Sequence, residues 1–538
     1  MAAEEKTLPA GGSAEEGLRR EVTVWGSYMW GFADVGADSY VALGLVMAYA
    51  QGATSLAFAL AGIVYIMIGL AYTELASAYP VAGGGQYFTL RGLGDFWGFV
   101  AGSALLLDYT IDIALFAMAS AGYINFFLPT LLGVRASDLT LSIGPIGNVQ
   151  YVWLLESLVI IAFLVWLNIR GIRESSLLNE VVGVLVIVTE VGIILFGFVA
   201  AWRPEIFTFQ WLHQFPTTRN FMYGTSLAII SFVGLESISQ AAQETRRPAT
   251  IVPRTSIALI FSVFLFATAF ATLGLGVAIP AEGSLVHPWQ LLGKHQDNPV
   301  AVLAQAIPFI GYVAGPLTAV LGALILLISA NSGVMSASRL TYSMSRFHFI
   351  DVWFNAVHPK YRTPVRTITI FSGIAALQVV LASLTGPKAL DTLGNMYAFG
   401  ASTGYLLVFI ALMRLRFTDP HSPRPYKVPL NVRLKIKGES YEFPLLAVIG
   451  ALGVASILFM VILTHEIGRI AGPAWIVACF IYYAWYRRRH KLPVFRSVKH
   501  DWEAQQQAVL QDAEEYDLLE RYRASLAARD RAREEAKR

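Results

Sequence analysis

Apolar residues run in long unbroken stretches along most of this chain, and polar residues gather between them. TSLAFALAGIVYIMIGLAYTELA (54–76) and AVIGALGVASILFMVILT (447–464) are two such stretches. Runs near 20 residues match a hydrocarbon core of ~30 Å at 1.5 Å rise per residue. They are continuous and not alternating, which argues against a barrel. The pattern predicts twelve helical spans, about 23–49, 54–79, 96–128, 151–170, 177–202, 220–242, 252–279, 305–338, 365–385, 389–413, 443–464 and 470–487. The expected fold is therefore an all-α polytopic membrane protein. A polar tail (1–22) precedes the transmembrane unit (23–487), and a polar, helix-forming tail (488–538) follows it. The first 22 residues have no apolar core of a signal peptide, so the first span is expected to act as the targeting signal.

Composition agrees with the pattern. Hydrophobic residues make up 55% of the 538 and charged ones 14%, against about 25% charged in soluble domains. An even number of spans puts both ends on one side, and basic residues choose which. The N-terminal tail and the even-numbered connections, with Arg170, Arg254 and Arg366 at span edges, carry 21 Lys and Arg; the odd-numbered connections carry six. Both termini are expected to be cytoplasmic, in the plasma or inner membrane. The single Cys479 allows no intrachain disulfide. All nine histidines fall in loops or at span boundaries, which leaves no cluster for metal or acid–base catalysis at membrane depth. Gly83–Gly85 is not followed by a Lys–Ser/Thr pair, so it is no nucleotide loop. The expectation is a protein that is not an enzyme, with no cofactor, no resident metal and no nucleic-acid partner.

Two stretches break the apolar rule. WGFADVGADSY (30–40) places Asp34, Asp38, Gly31 and Gly36 within the first span. A mid-membrane charge costs roughly 2.5 kcal/mol or more, and glycine weakens a helix by about 1 kcal/mol against alanine. About 200 residues on, SFVGLESISQAAQETRRP (231–248) carries Gly234 and Glu236 in the sixth span. Interrupted helices in corresponding positions point to a five-plus-five inverted-repeat transporter, with spans 1 and 6 unwound around a binding site. Non-helical backbone at that depth is tolerated beside a protein-lined cavity.

Three further stretches are informative together: YTELASAYPVAGGGQYFTLRGLGDFWGFVAG (72–102), FVGLESISQAAQETRRPATIVPR (232–254), and ANSGVMSASRLTYSMSR with HPKYRTPV (330–346, 358–365). They resemble, in order, the second-span exit, the sixth span and the eighth span of the amino acid–polyamine–organocation superfamily. The resemblance implies twelve spans and a substrate held between spans 1 and 6. SFVGLES is similar to the sixth span of arginine/agmatine-type exchangers, which implies Glu236 in proton sensing, Phe232 on the cavity wall and Gly234 among the backbone contacts. Ile230 stands where that family has an aromatic gate residue, and span 5 lacks a lysine found in some proton-coupled members. ADVGADSYV (33–41) resembles instead a segment of potassium uptake permeases, with Asp34 matching a cation-coordinating aspartate.

The ionisable residues expected at membrane depth are Asp34, Asp38, Asp108, Asp112, Glu190 and Glu236. Lys and Arg gather near the terminal side, so these acids must hold protons, bind a cation or meet water. Asp108 and Asp112 stand four apart and share a helical face. The expected function is secondary active transport of amino acids or related amines by alternating access. Gly31, Asp34, Gly36, Asp38, Phe232, Gly234 and Glu236 would bind substrate; Glu236, Asp108, Asp112 and Glu190 would couple protons. The expected partners are a small-molecule substrate, protons and the lipid bilayer. The alternative is a proton-coupled potassium permease with a monovalent cation near Asp34; a transporter-like sensor signalling through the C-terminal tail ranks below both.

Overall fold

The computed structural model describes residues 23–535, apart from 143–147, 171–174, 241, 243–244, 246, 280–286, 362 and 437–438. The 1–22 tail and parts of two basic loops, at 171–173 and within 243–246, lie outside the described residues.

Ten segments among the described residues are long and apolar enough to cross a membrane. One of them, Val24–Ala78, holds two helices, Val24–Ala50 and Thr54–Ala78, parted by a 3-10 turn at Gln51–Ala53. A further helix, Gly468–Arg489, ends in three arginines, whose charges suit the negative end of a helix dipole. The fold is that of an all-α polytopic membrane protein, with eleven of the expected spans in these ten segments and Gly468–Arg489, less apolar than they are, at the place expected for the twelfth. Most ends fall within two or three residues of expectation.

Span 8 departs furthest from its expected 305–338: it runs Gly311–Arg346. Pro299–Gln305 forms a separate short helix before it, and the polar SRLTYSMSR continues the helix past the apolar run. Two β-hairpins, 140–142 with 148–150 and 431–436 with 439–444, also escaped the sequence reading because they lie in connections.

Span 3, Asp95–Ile124, is the core. Its most apolar window is 94% buried, against 22% for span 4, Tyr151–Arg170. Acids on span 3 therefore face protein and not lipid. Span 3 packs on span 8 and on span 10, Ala389–Thr418; span 1, Val24–Ala50, packs on spans 6, 7 and 8. These contacts bring the two unusual stretches and span 3 to the middle of the bundle.

The face that carries the chain ends is fastened by ion pairs. Glu74, fully buried at the end of span 2, meets Arg416 at 2.7 Å and Arg424 at 3.3 Å, and accepts from the Val428 N–H at 2.8 Å. Asp95, at the start of span 3, meets Arg487 at 2.5 Å and His500 at 2.9 Å. Arg91 donates to Asp419 at 2.7 Å and lies over the Tyr79 ring.

The helix-forming C-terminal tail is two helices, Trp502–Asp512 and Tyr516–Glu535. They pack on each other through Leu510, Leu519, Tyr522 and Leu526. The tail docks on the bundle: Gln506 donates to the Ala78 carbonyl at 2.9 Å and accepts from Arg91, and Glu515 accepts from the Ala249 N–H at 3.2 Å. A cavity of about 380 Å³ remains beside Arg91 and Trp502 where the tail docks, and the opposite face holds a wider one of about 1100 Å³ between the ends of spans 1, 3 and 10 and the loop before span 8.

Candidate functional site

Span 6 opens where expected. Its first part, Thr218–Ala228, is capped by the Thr217 hydroxyl and tightens into a 3-10 turn at Ile229–Phe232. The chain then leaves the helix at Val233–Leu235 and resumes at Glu236–Gln240. Gly234 has φ +106°, a conformation that side chains with a β-carbon rarely adopt, so this turn needs glycine. The Glu236 carboxyl folds back over the break: its Oε2 accepts from the Gly234 N–H at 3.1 Å and from the Tyr405 hydroxyl of span 10 at 2.8 Å. Oε1 is buried without a hydrogen-bond partner.

Span 1 does not open. It is helical without interruption from Val24 to Ala50, so the expected unwinding at 30–40 is corrected. The glycines serve packing instead. A β-carbon at Gly31 would lie 2.5 Å from Leu259 Cδ2 and 2.9 Å from Ile238 Cδ1, so Gly31 lets span 1 approach spans 6 and 7. One at Gly36 would meet the ring of Phe32 on the same helix at 3.0 Å. Close contact of this kind offsets the intrinsic cost of glycine. Neither glycine frees a backbone group for ligand.

Asp34 and Asp38, one turn apart, point inward and are 6% and 1% exposed. Asp34 sits directly against the break: a β-carbon at Gly234 would lie 3.0 Å from its Oδ2. The Ser329 hydroxyl of span 8 approaches Asp34 Oδ1 at 3.4 Å. Both Asp38 oxygens are buried without hydrogen-bond partners, and the Asp108 carboxyl faces that of Glu236. Asp112 accepts from the Tyr397 hydroxyl at 3.1 Å and abuts span 8, where a β-carbon at Gly333 would lie 2.6 Å from its Oδ2.

The fields of Asp34, Asp38, Asp108, Asp112 and Glu236 act on one another. The structure thus brings together five acids from spans 1, 3 and 6. Glu190 of span 5 stands apart, beside Tyr40. Phe232 stacks on Tyr65 of span 2 at 5.0 Å and meets Phe58 edge-on.

Among the described residues, no lysine or arginine forms an ion pair with any of the five. Hydroxyls surround them instead. The Ser237 and Ser332 hydroxyls face Asp34, and those of Ser231, Tyr65 and Tyr72 are buried without partners. Sequence reasoning missed this hydroxyl shell, above all Tyr397 and Tyr405 on span 10. The signal was present: tyrosines in apolar spans carry a polar tip that must find a partner when buried. Chemically, the cluster can hold protons in exchange for a cation or an ammonium group.

The sequence profile of the amino acid permease family matches residues 24–485, the whole of the bundle just described. The chain belongs to the amino acid permease family. The permease is 26% identical over 488 residues to the branched-chain amino acid permease BcaP of Bacillus subtilis (strain 168), covering 90% of this chain and 96% of that one. It is 25% identical over 464 residues to the methylthioribose transporter of the same organism, covering 85% and 91%. Against cationic amino acid transporter 4 of Mus musculus it is 27% identical over 419 residues, covering 76% and 62%. Its family is one of membrane transporters and not of enzymes.

Proposed function

We infer that the permease is a secondary active transporter of amino acids or related amines, coupled to protons and working by alternating access. The observation that carries this reading is the cluster of five base-free carboxyls packed around a single helix break. Buried acids without counter-ions are costly in a membrane interior and mark ion pathways. Asp34, against Gly234, is the group for a substrate ammonium. Asp38 lies one turn further along the same face. Glu236 bridges the break to span 10, so its protonation state governs how tightly that bridge holds; Asp108 and Asp112 extend the path along span 3. Phe232 contributes apolar wall. Glu190, set apart beside Tyr40, is the weakest member of the coupling set.

The relatives named above carry amino acids or a methylthioribose by their own names, and lend no support to the potassium alternative. The excess of Lys and Arg on the face with the chain ends puts that face in the cytoplasm of a plasma or inner membrane.

Purified protein should be tested by thermal shift against branched-chain and cationic amino acids, amines and alkali cations at several pH values. A ligand at 100 times its Kd stabilises the folded state by about 2.7 kcal/mol. Stabilisation by an amino acid or amine, stronger at one pH than another, is the expected result. Stabilisation by K⁺ alone would overturn the reading.

A further inference from the structure

The cavity on the outer face has a floor with its own chemistry. Asp391, at the start of span 10, is 6% exposed and lines it. Tyr49, at the end of span 1, donates to Asp391 Oδ2 at 3.2 Å. Tyr223, in the first part of span 6, donates to both oxygens, at 2.9 and 2.8 Å, and accepts from the Asn395 amide at 2.9 Å. The two phenol rings lie 4.1 Å apart, and Tyr49 also lines the cavity. One carboxylate thus ties the outer ends of spans 1 and 6 to span 10.

Asn125, which lines the wall at the end of span 3, is 5% exposed and faces the Glu156 carboxyl, with which it hydrogen-bonds. Lys388, three residues before Asp391, lines the same space, and its charge acts on Asp391.

We propose that this floor is a second binding site, which captures the ammonium group of an incoming amino acid or amine on Asp391 before it reaches the buried acids. Among the described residues, Asp391 accepts from the neutral phenols of Tyr49 and Tyr223, whereas a hydrogen bond from an ammonium is charge-assisted and roughly twice as strong. The Tyr49 ring, which lines the cavity, adds attraction for a cation, and Lys388 meets the carboxylate of a zwitterion. An ammonium that takes Asp391 releases both tyrosine hydroxyls. Capture therefore takes the carboxylate that joins the outer ends of spans 1 and 6 to span 10 and loosens that joint, while the Asn395 amide still holds the Tyr223 hydroxyl. The proposal rests on the transport reading above.

The test is uptake of radiolabelled L-leucine and L-lysine by proteoliposomes of known orientation, measured from each side. Asp391→Asn keeps the shape and removes the charge. KM from the outer side is expected to rise tenfold or more, with KM from the terminal side unchanged. Isoamylamine should compete from outside in the wild type and lose that competition in the variant. Equal KM changes on both sides would show a merely structural role and overturn the proposal, as would no change on either side. Should the variant fail to fold, Tyr49→Phe with Tyr223→Phe serves: freeing the carboxylate of its competitors should lower the outer KM about threefold, and a rise or no change counts against the site. If the wild type carries neither amino acid, the transport reading fails first and takes this proposal with it.

Discussion

Two sets of buried acids in this protein keep opposite company. On the face with the chain ends, Glu74 and Asp95 are fully buried, and each meets arginine: Arg416 and Arg424 for the first, Arg487 for the second. In the middle of the bundle, Asp34, Asp38, Asp108, Asp112 and Glu236 are also buried, and meet serines, tyrosines and each other. Burial is the same and partnership differs. A paired carboxylate has spent its charge on holding two segments together, so it makes a joint. A carboxyl left among hydroxyls still has its charge to exchange, so it makes a site. The joints also lie where the tail helices dock, which fastens one face while the other keeps the wider cavity, of about 1100 Å³.

The comparison breaks first where a joint is cut. Glu74→Ala takes the principal carboxylate from the buried side chains of Arg416 and Arg424, leaving Arg416 with Glu442 at 3.6 Å and Arg424 with backbone carbonyls. Loss of one partner of a buried pair typically costs 3–5 kcal/mol. Thermal melts of the variant should show a large loss of stability whether or not a substrate is present. A normal melt would mean that Glu74 is no joint.

Next come the central acids. Asp34→Asn and Asp38→Asn should leave the melt close to wild type while binding weakens at least tenfold, a loss of about 1.4 kcal/mol or more. If instead these variants unfold like Glu74→Ala, the two sets are not different in kind. A steric probe is smaller still. Gly333→Ala drives a methyl to 2.6 Å from Asp112 Oδ2, and overpacking of this sort costs about 1–3 kcal/mol. Transport should fall more than stability does, which paired melts and uptake rates would check.

The smallest effect concerns pH at the tail. Asp419 lies outside the spans. Burial alone would raise its pKa, but Arg91, with Ser422 and Arg424, outweighs that and holds the carboxyl below its ordinary range. A depressed carboxylate contributes stability that is present above the unfolded value of about 3.9 and lost as pH falls through the folded one. The Asp419 contribution to tail docking should therefore be constant above about pH 4 and be lost only below it, so a variant with His500→Gln should hold its tail unchanged down to that pH. Limited proteolysis of residues 497–535 across pH would follow this; release at neutral pH would contradict it.

The twelve spans were legible because each is a local property, an apolar run of bilayer length. So was the opening of span 6, since a glycine beside an acid there has few other uses. The same composition misled in span 1. Gly31 and Gly36 answer to contacts with Leu259, Ile238 and Phe32, and a glycine that admits a neighbour reads the same as one that unwinds a helix. The acids could be named in advance, but their assembly could not. Tyr405 meets Glu236 across 169 residues and Tyr397 meets Asp112 across 285, and no local pattern records such pairs. Docking of the tail escaped for the same reason: Gln506 and Ala78 are 428 residues apart.

The central claim is that the base-free acids exchange protons during transport, with Glu236 at the break as the coupling group. The most direct measurement is accumulation of radiolabelled L-leucine or L-lysine in proteoliposomes, with and without an imposed proton gradient, for wild type and Glu236→Gln. The account predicts gradient-driven accumulation in the wild type and only equilibration in the variant. Equal accumulation by both, with the same dependence on the gradient, would contradict it.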